Sequence, residues 1–544
     1  MGDIKRLAKT ADELFNAKLT LHGLWQEIAD FTYPERADFT SNRTLGMDFA
    51  SNLTNSHQLI ARRESSTIMS TMMFPKNQVW AHIKAEKGDD EDEGVIENNQ
   101  WLEFATKRMR EAMYNFNANL TRALTEACND IWAFGNAVIS CEYNRAKQSL
   151  LYRCWHLRDM AWVEGYDGKI CEIYRKSKDS AYNLNKQFKG NVSDKVKKML
   201  EKTPHEMVEY YHAVLPIDRY EASVKIATDY VSVFFECETK HVLKEEASRT
   251  MIYVVVRWET VSGFQYGYSP CSVAALPEIR MLQQLSLLIL ESNEMEVRKP
   301  IYGRNEIFRG DINRLAGGIT YLDLEPEQRI SDAMMFEPSN TGGLQAAAQK
   351  ELQSVEMINR AYFLDKLKLP VPMSGTTAYE FAKRMEEYIM INLPIFEPLE
   401  LNFVQPLCEI TFDIAMQNGV FGSVEDIPES LQGVDINFEF HNPLQKAIEE
   451  QKAQQYIDAL GLVSQGAALD PSAPIILKSK IALRDAMVGK GIPAKWLNSS
   501  DEIEAIEQQQ AQAQQAQQAM AMLQQGGEAA KAVGEGAQAI NGIM

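Results

Sequence analysis

GYSPCSVAALPEIRMLQQLSLLILESNEMEVRKP, residues 267–300, decides the fold. After the opening turn residues the spacing predicts a helix of about 28 residues ending near Lys299, ~40 Å long at 1.5 Å per residue. Around Leu285–Leu290 it is apolar over much of its circumference. Such a helix needs neighbours on more than one side. A compact insert with strand-like alternation and Gly317-Gly318 follows over Pro300–Pro338, and a second long helix is expected over Leu344–Leu364. The pattern is two long helices carrying a small module at their tip.

Outward toward the N-terminus, Leu7, Leu14, Leu21, Leu24, Trp25 and Ile28 predict one helix over 5–33, ended by Tyr33-Pro34. Residues 53–74 predict a second helix stopped by Pro75, and residues 97–134 are helical again. The acidic run Asp89–Glu93 reads as a surface loop; Gln100 stands where a calcium loop needs its last glutamate. From 136 to 260 the pattern changes to short β-branched and aromatic segments: Ala137–Tyr143, Leu151–Trp155, Tyr211–Leu215 and Met251–Trp258, with a short helix over 192–202. This is an α+β block expected around one core.

Toward the C-terminus, LKLPVPMSGTTA (Leu367–Ala378) is a loop. Thr377 and Glu380 have capping-box spacing for the next helix, which runs to Met416 with a kink at Pro394 or Pro398 and stops at Asn418-Gly419. Strict alternation makes Val434–Phe440 a strand, and helix is expected after Pro443. Residues 502–525 are a Gln/Ala-rich helix with almost no stripe to bury, so it is either a frayed tail or one stave in a ring of identical helices. Residues 526–544 are Gly/Ala-rich and expected to be disordered.

The chain has 544 residues, enough for about three to five packed units. Its net charge of −19 argues against gripping phosphates over its whole surface, so any contact with nucleic acid is local or weak. Seven cysteines, none in CxxC spacing, read as free thiols. No uninterrupted apolar run approaches the ~18–20 residues that span a bilayer, so no membrane partner is expected. The phosphate-binding loop, the HExxH zinc motif and the GxSxG elbow are all missing from the sequence, and the eight histidines never pair at metal-ligand spacing. Cys154 and His156 stand two apart on a predicted strand, a pairing expected at chance level. No cofactor, metal or catalytic activity is expected.

Five stretches in order, WQEIADFTYP (Trp25–Pro34), STIMSTMMFPKNQVW (Ser66–Trp80), GYSPCSVAALPEIRMLQQL (Gly267–Leu285), TTAYEFAKRMEEY (Thr376–Tyr388) and the Gln/Ala-rich end, span nearly the whole chain. Together they resemble the head-to-tail connector, or portal, proteins of short-tailed, T7-like bacteriophages. The resemblance implies the portal fold, α+β and mainly helical, in a ring of twelve copies around a channel for double-stranded DNA. It implies a wing over 1–269 and 377–440, and stem helices over 270–299 and 339–365. It further implies a clip over 300–338, a tunnel loop over 366–376, a helical crown over 441–500 and a C-terminal barrel helix and tail over 501–544. The ring would sit at one capsid vertex, assembled in host cytoplasm, with a terminase motor, a tail adaptor and the major capsid, scaffold and internal core proteins as partners. On this reading Lys366, Lys368, Pro370, Pro372 and Gly375 belong to the channel loop, and Arg298 and Lys299 end the stem. Arg304, Arg309, Asp311 and Arg314 belong to the motor- and adaptor-facing clip. The cations at the helix ends are equally read as partners of the helix dipole. A different structural or scaffold virion protein with a helical barrel stands as the alternative, and a terminase-type enzyme behind it.

Overall fold

The computed structural model describes residues 2–42, 44, 46–48, 50–51, 53–85, 95–220, 228–297, 301–303, 321, 323–324, 326–327, 329, 334–336, 341–368, 378–423, 427–428, 431–433, 436–440, 456–465, 482–483 and 486–487. It divides into two units, residues 1–87 with 101–442 and residues 88–100 with 443–544. In the second unit, residues 456–465 are helical and expose Ile457, Leu460 and Leu462.

The N-terminal helix is two helices, α1 (Gly2–Ala17) and α2 (Leu19–Thr32), because the chain breaks at Lys18. The Lys18 side chain turns inward and its Nζ donates to the carbonyls of Leu157 (2.9 Å), Arg158 (2.8 Å) and Met160 (2.5 Å). Burial disfavours the ammonium and lowers its pKa to about 7. Next comes α3 (His57–Met73), which starts later than periodicity suggests because Thr54 and Asn55 are engaged elsewhere. The strand β1 (Ala81–Ala85) follows. The span expected as helix over 97–134 is α4 (Val95–Met113) and α5 (Leu120–Phe134), separated by a turn.

The block after α5 holds β2 (Asn136–Asn144), β3 (Ser149–Trp155), β4 (Met160–Glu164) and β5 (Ile170–Ser180). The helices α6 (Ala181–Gln187) and α7 (Asp194–Lys202) come next. Then come β6 (Met207–Pro216), β7 (Tyr230–Glu236), β8 (Val242–Ser248) and β9 (Tyr253–Arg257). They make two antiparallel sheets, of order β3-β2-β9 and β4-β5-β6-β7-β8. The single core expected here is three clusters among the described residues. One joins Trp25 and Ile28 of α2 to Phe134, Val138 and Trp162. A second seats Ile4, Leu7, Ala8 and Ala11 of α1 on Tyr211, Val231 and Phe235. The third holds α6 and α7 on Tyr210 and Leu243. The first cluster draws on both sheets, Val138 and Tyr253 from one and Trp162, Ile173 and Val214 from the other, while α1 and the pair α6–α7 cover the five-stranded sheet in clusters of their own.

After β9 the chain turns through residues 259–268 into α8 (Pro270–Val297). Three contacts aim this helix. Asn136 donates its side-chain N–H to Gly267 O (2.6 Å) and accepts from Gly267 N–H (2.8 Å). Ser269 Oγ donates to Trp132 O (2.7 Å) and accepts from Ser272 N–H (3.2 Å), satisfying an otherwise orphaned helix donor. Gly135, at φ +73°, leaves no room for a side chain, since a Cβ would lie 2.1 Å from the Tyr268 carbonyl carbon.

The hairpin β10 (Ile301–Gly303) and β11 (Met334–Phe336) pairs antiparallel, in keeping with a strand-containing insert. The second long helix, α9 (Thr341–Ala361), ends at a turn with Phe363 at φ +52°, and the short α10 (Leu364–Leu367) follows. Then come α11 (Ala378–Leu399), a π-helical turn over Glu400–Val404 and α12 (Gln405–Gln417). Pro394 and Pro398, where a kink was expected, both lie inside α11, and the π-helical turn follows them. The strand β12 (Ile436–Phe440) pairs antiparallel with β1, from Ala81 opposite Phe440 to Ala85 opposite Ile436.

Over Cys271–Val297, α8 is long and apolar enough, by length and composition alone, to cross a membrane. Counting only uninterrupted runs overlooked this, because Gln283, Gln284 and Ser286 break the run without making the helix polar. The first half of α8 is rooted in the protein through buried Cys271, Ala275, Ile279 and Leu282.

Candidate functional site

The long pair α8 and α9 is covered at its base and bare toward its tip. Beyond Gln283 no described residue of α8 is buried. Leu287, Leu288, Leu290, Met295 and Val297 are exposed, Leu290 to 66 % and Val297 to 83 %. On α9, Ile358 is buried while Leu352 is 70 % exposed. Scattered exposed leucines need no explanation, but five large apolar side chains are exposed on the last eleven residues of one helix, interspersed with Glu291, Glu294 and Glu296.

Polar contacts fix the pair to the rest of the unit. Gln283 Oε1 accepts from Thr54 N–H (2.8 Å) and Asn55 N–H (3.1 Å), and its Nε2 donates to Asn55 O (2.8 Å). Ser286 Oγ donates to Glu351 Oε1 of α9 (2.7 Å), and Asn55 Nδ2 donates to both Ser286 Oγ (3.1 Å) and Glu351 Oε1 (3.3 Å). His57 Nε2 lies 2.9 Å from Asn359 Oδ1. The loop before α3 is thus wedged against both long helices. Arg280 adds a bidentate pair with Glu27 of α2, both bonds 2.7 Å.

At the foot of α9, the segment leading into residues 369–377 is held by α11. Tyr388 OH donates to Leu367 O (3.0 Å), and Asn392 Nδ2, one turn on, donates to Lys366 O (2.9 Å). Burial raises the Tyr388 phenol to about 12, so it stays a donor. Leu364 and Leu367 point inward, which turns Lys366 and Lys368 to the surface. Lys366 Nζ sits 5.3 Å from the centre of the Phe363 ring, within cation–π range.

Cys154 and His156 do not face one another as nucleophile and base. The Cys154 thiol donates to Asp130 Oδ2 (3.6 Å), and burial pushes its pKa well above the ordinary value. His156 pairs through Nε2 with Asp38 (2.5 Å) and accepts at Nδ1 from Arg158 N–H (3.0 Å). Asp130 in turn holds Arg36 at 2.7 Å. This network ties the turn after α2 to α5 and β3, although Arg36 Nε and Asp130 Oδ1 stay buried without a partner. All seven cysteines are free thiols. Among the described residues no group of three or more Asp, Glu, His or Cys is placed to hold a metal ion.

A family model described as bacteriophage head to tail connecting protein matches residues 4–497. The chain belongs to that family. It is therefore a connector, a structural part of the phage virion at the junction of head and tail. The connector is 24% identical over 539 residues to a probable portal protein of Bordetella phage BPP-1, covering 94% of this chain and 91% of that protein. It is 23% identical over 542 residues to the portal protein of Salmonella phage epsilon15, covering 98% of this chain and 95% of that protein. A chain from a solved virion of a native gene transfer agent particle aligns at 11% identity over 75% of this chain and 86% of that chain, with a TM-score of 0.31.

Of the residues singled out in the sequence, the connector brings Lys366 and Lys368 together at the surface below α9. Pro370, Pro372, Gly375, Arg298, Lys299, Arg304, Arg309, Asp311 and Arg314 lie outside the described residues, as do Asp89–Glu93, Thr377 and residues 501–544. The residues that sequence reasoning missed are Gln283, Tyr388 and Asn392. Gln283 had a signal, an amide within a mostly apolar helix. Tyr388 and Asn392 show only a spacing of four, which marks one helix face and not its acceptor.

Proposed function

We propose that this connector is the portal subunit of its phage. It assembles into a closed ring of twelve copies around a channel through which double-stranded DNA is packaged by the terminase motor and later ejected. The observation that carries this reading is the exposed apolar half of α8, beside the exposed Leu352 of α9. A single copy leaves that surface in water; copies standing side by side would cover it, and a head-to-tail contact closes into a ring when its rotation divides a full turn. In this reading α8 and α9 are the stem and the β10–β11 hairpin begins and ends the clip at 300–338, where the motor and then the tail adaptor bind. The two sheets, with 377–440, form the wing. Residues 366–376 form the channel loop, its base fastened by Tyr388 and Asn392. Residues 441–500 are the crown, and 501–544 a barrel helix and tail directed into the capsid. The net charge of −19 suits a wall that must not hold DNA, since like charge repels the duplex over a screening length of about 8–10 Å.

The test is Leu288→Asp with Leu290→Asp, read by sedimentation velocity. Both side chains are exposed in the single copy, so the subunit still folds while the ring fails to assemble. Full-size rings from the double variant would remove the stem contact from the account.

A further inference from the structure

We propose that α6 and α7 present a second site for the phosphates of duplex DNA, on the five-stranded sheet and separate from Lys366 and Lys368. The choice of DNA as ligand rests on the channel reading above. Residues 175–205 hold nine Lys and Arg against three Asp and Glu, a net charge of +6 in a chain of −19. The remainder of the chain is therefore at −25. A charge excess of this kind, confined to one module of an acidic protein, is the footprint of a polyanion contact.

The fold buries Arg175 of this set against Trp155 but turns the lysines of residues 181–202 outward. Ala181, Leu184, Phe188, Val192 and Val196 pack α6 and α7 onto Tyr210 and Leu243. With the apolar side covered, Lys186, Lys189, Lys195, Lys197, Lys198 and Lys202 are all exposed. Lys195, Lys198 and Lys202 recur at spacings of three and four, so they share one side of α7 over about 10 Å. Nearby cations on the sheet are matched: Lys176 and Lys178 both hold Glu209 (2.8 and 2.6 Å), and Lys244 holds Glu246 (2.6 Å). Within the excursion, Lys195 pairs with Glu238 and Lys197 with Asp194 (3.2 Å). Among the described residues, Lys186, Lys189, Lys198 and Lys202 make no ion pair. Four exposed ammonium groups on this module that make no ion pair, even with Glu201 on α7, leave donors free for an anion.

Lysine ammonium groups on flexible stems meet phosphate oxygens as point charges and read no sequence. That suits a surface holding any stretch of genome. A protein partner would instead anchor on an apolar hot spot, and the exposed apolar side chains here are Tyr182 and Met207. Four unmatched lysines outweigh that pair.

The experiment uses the full-length assembly and a fluorescein-labelled 30-base-pair duplex, with binding read by anisotropy from 50 to 200 mM NaCl. The comparison is the quadruple variant Lys186→Gln, Lys189→Gln, Lys198→Gln, Lys202→Gln. Four phosphate contacts contribute about 3.6 to the slope of log affinity against log salt, or ~150-fold over that salt range. The quadruple variant is expected to lose that contribution, each half of it (186 with 189, 198 with 202) to lose about half, and the four Lys→Arg replacements to keep it. Parallel slopes for wild type and variants overturn the site. So does binding of a 20-residue poly-glutamate, lost with Tyr182→Ala, in place of binding to the duplex. Absence of annular assemblies in the wild type overturns the ring reading; annular assemblies with unchanged slopes overturn this site alone.

Discussion

Replacing Lys18 with methionine tests how the wing is held together, and the structure sets the magnitude. The amine is 2 % exposed and donates to three carbonyls, those of Leu157, Arg158 and Met160. Burial lowers its pKa from 10.5 to about 7; Asp159 opposes that shift and Arg158 adds to it. When α2 opens, the amine returns to water and its ordinary value. Below about pH 7 both closed and open forms carry the proton, and the closed form bears the full cost of a buried charge, about 5 kcal/mol. As pH rises past 7 the closed form sheds the proton while the open form keeps it. The closed form then gains about 1.4 kcal/mol per pH unit, so about 2 kcal/mol by pH 8.5. Native-state hydrogen exchange of the α2 amides between pH 6 and 8.5 measures this opening energy directly. Wild type is expected to become harder to open by about that amount relative to Lys18→Met, whose side chain has nothing to titrate. Groups common to both proteins cancel in the difference. Opening energies that run parallel across this pH range would refute the assignment of a depressed, buried amine.

Three further outcomes follow from the geometry. Gly135→Ala forces a methyl group against the Tyr268 carbonyl at a positive φ, and should lower stability by about 2–4 kcal/mol in urea unfolding followed by tryptophan fluorescence; a loss under 1 kcal/mol would show that the 259–268 turn gives way freely. Asn392→Leu removes the donor to Lys366 O and should cost about 1–3 kcal/mol, with faster hydrogen exchange confined to residues 364–368; unchanged exchange there would show that α10 is held by its leucines alone. Lys366→Glu with Lys368→Glu should leave assembly intact, because both side chains are exposed, yet impair genome retention; unchanged packaging and retention in phage carrying the double variant would remove these lysines from the channel.

The long helices were legible because their signals are local. Apolar periodicity with Pro270 at the start bounded α8 to within two residues of its observed end. The strands expected at Ala137–Tyr143, Leu151–Trp155, Tyr211–Leu215, Met251–Trp258 and Val434–Phe440 are β2, β3, β6, β9 and β12, but the other strands and the pairing of all of them were not legible. Strand β5 (ICEIYRKSKDS) is polar over its second half, so half of its length carries no apolar alternation. Strand β1 pairs with β12, some 350 residues away, and nothing in AHIKA announces that partner. The break between α1 and α2 was hidden for a similar reason: lysine is a good helix former, and the three carbonyls that draw Lys18 out of register come from residues 157–160. Lys366 and Lys368 were singled out because cations beside a Pro/Gly loop stand out in composition, and the structure leaves both exposed. Tyr388 and Asn392 were not, because their acceptors are backbone carbonyls and carry no residue code. The cationic module over 175–205 was countable from the outset, but only the packing of α6 and α7 shows that its lysines share an outer surface.

Negative-stain electron microscopy of the purified full-length chain bears most directly on the whole account. Annuli of uniform diameter, twelvefold in class averages and with stain filling the centre, are the result that the proposed ring predicts. Discrete single subunits at every protein concentration, with Leu288 and Leu290 still open to water, would contradict it.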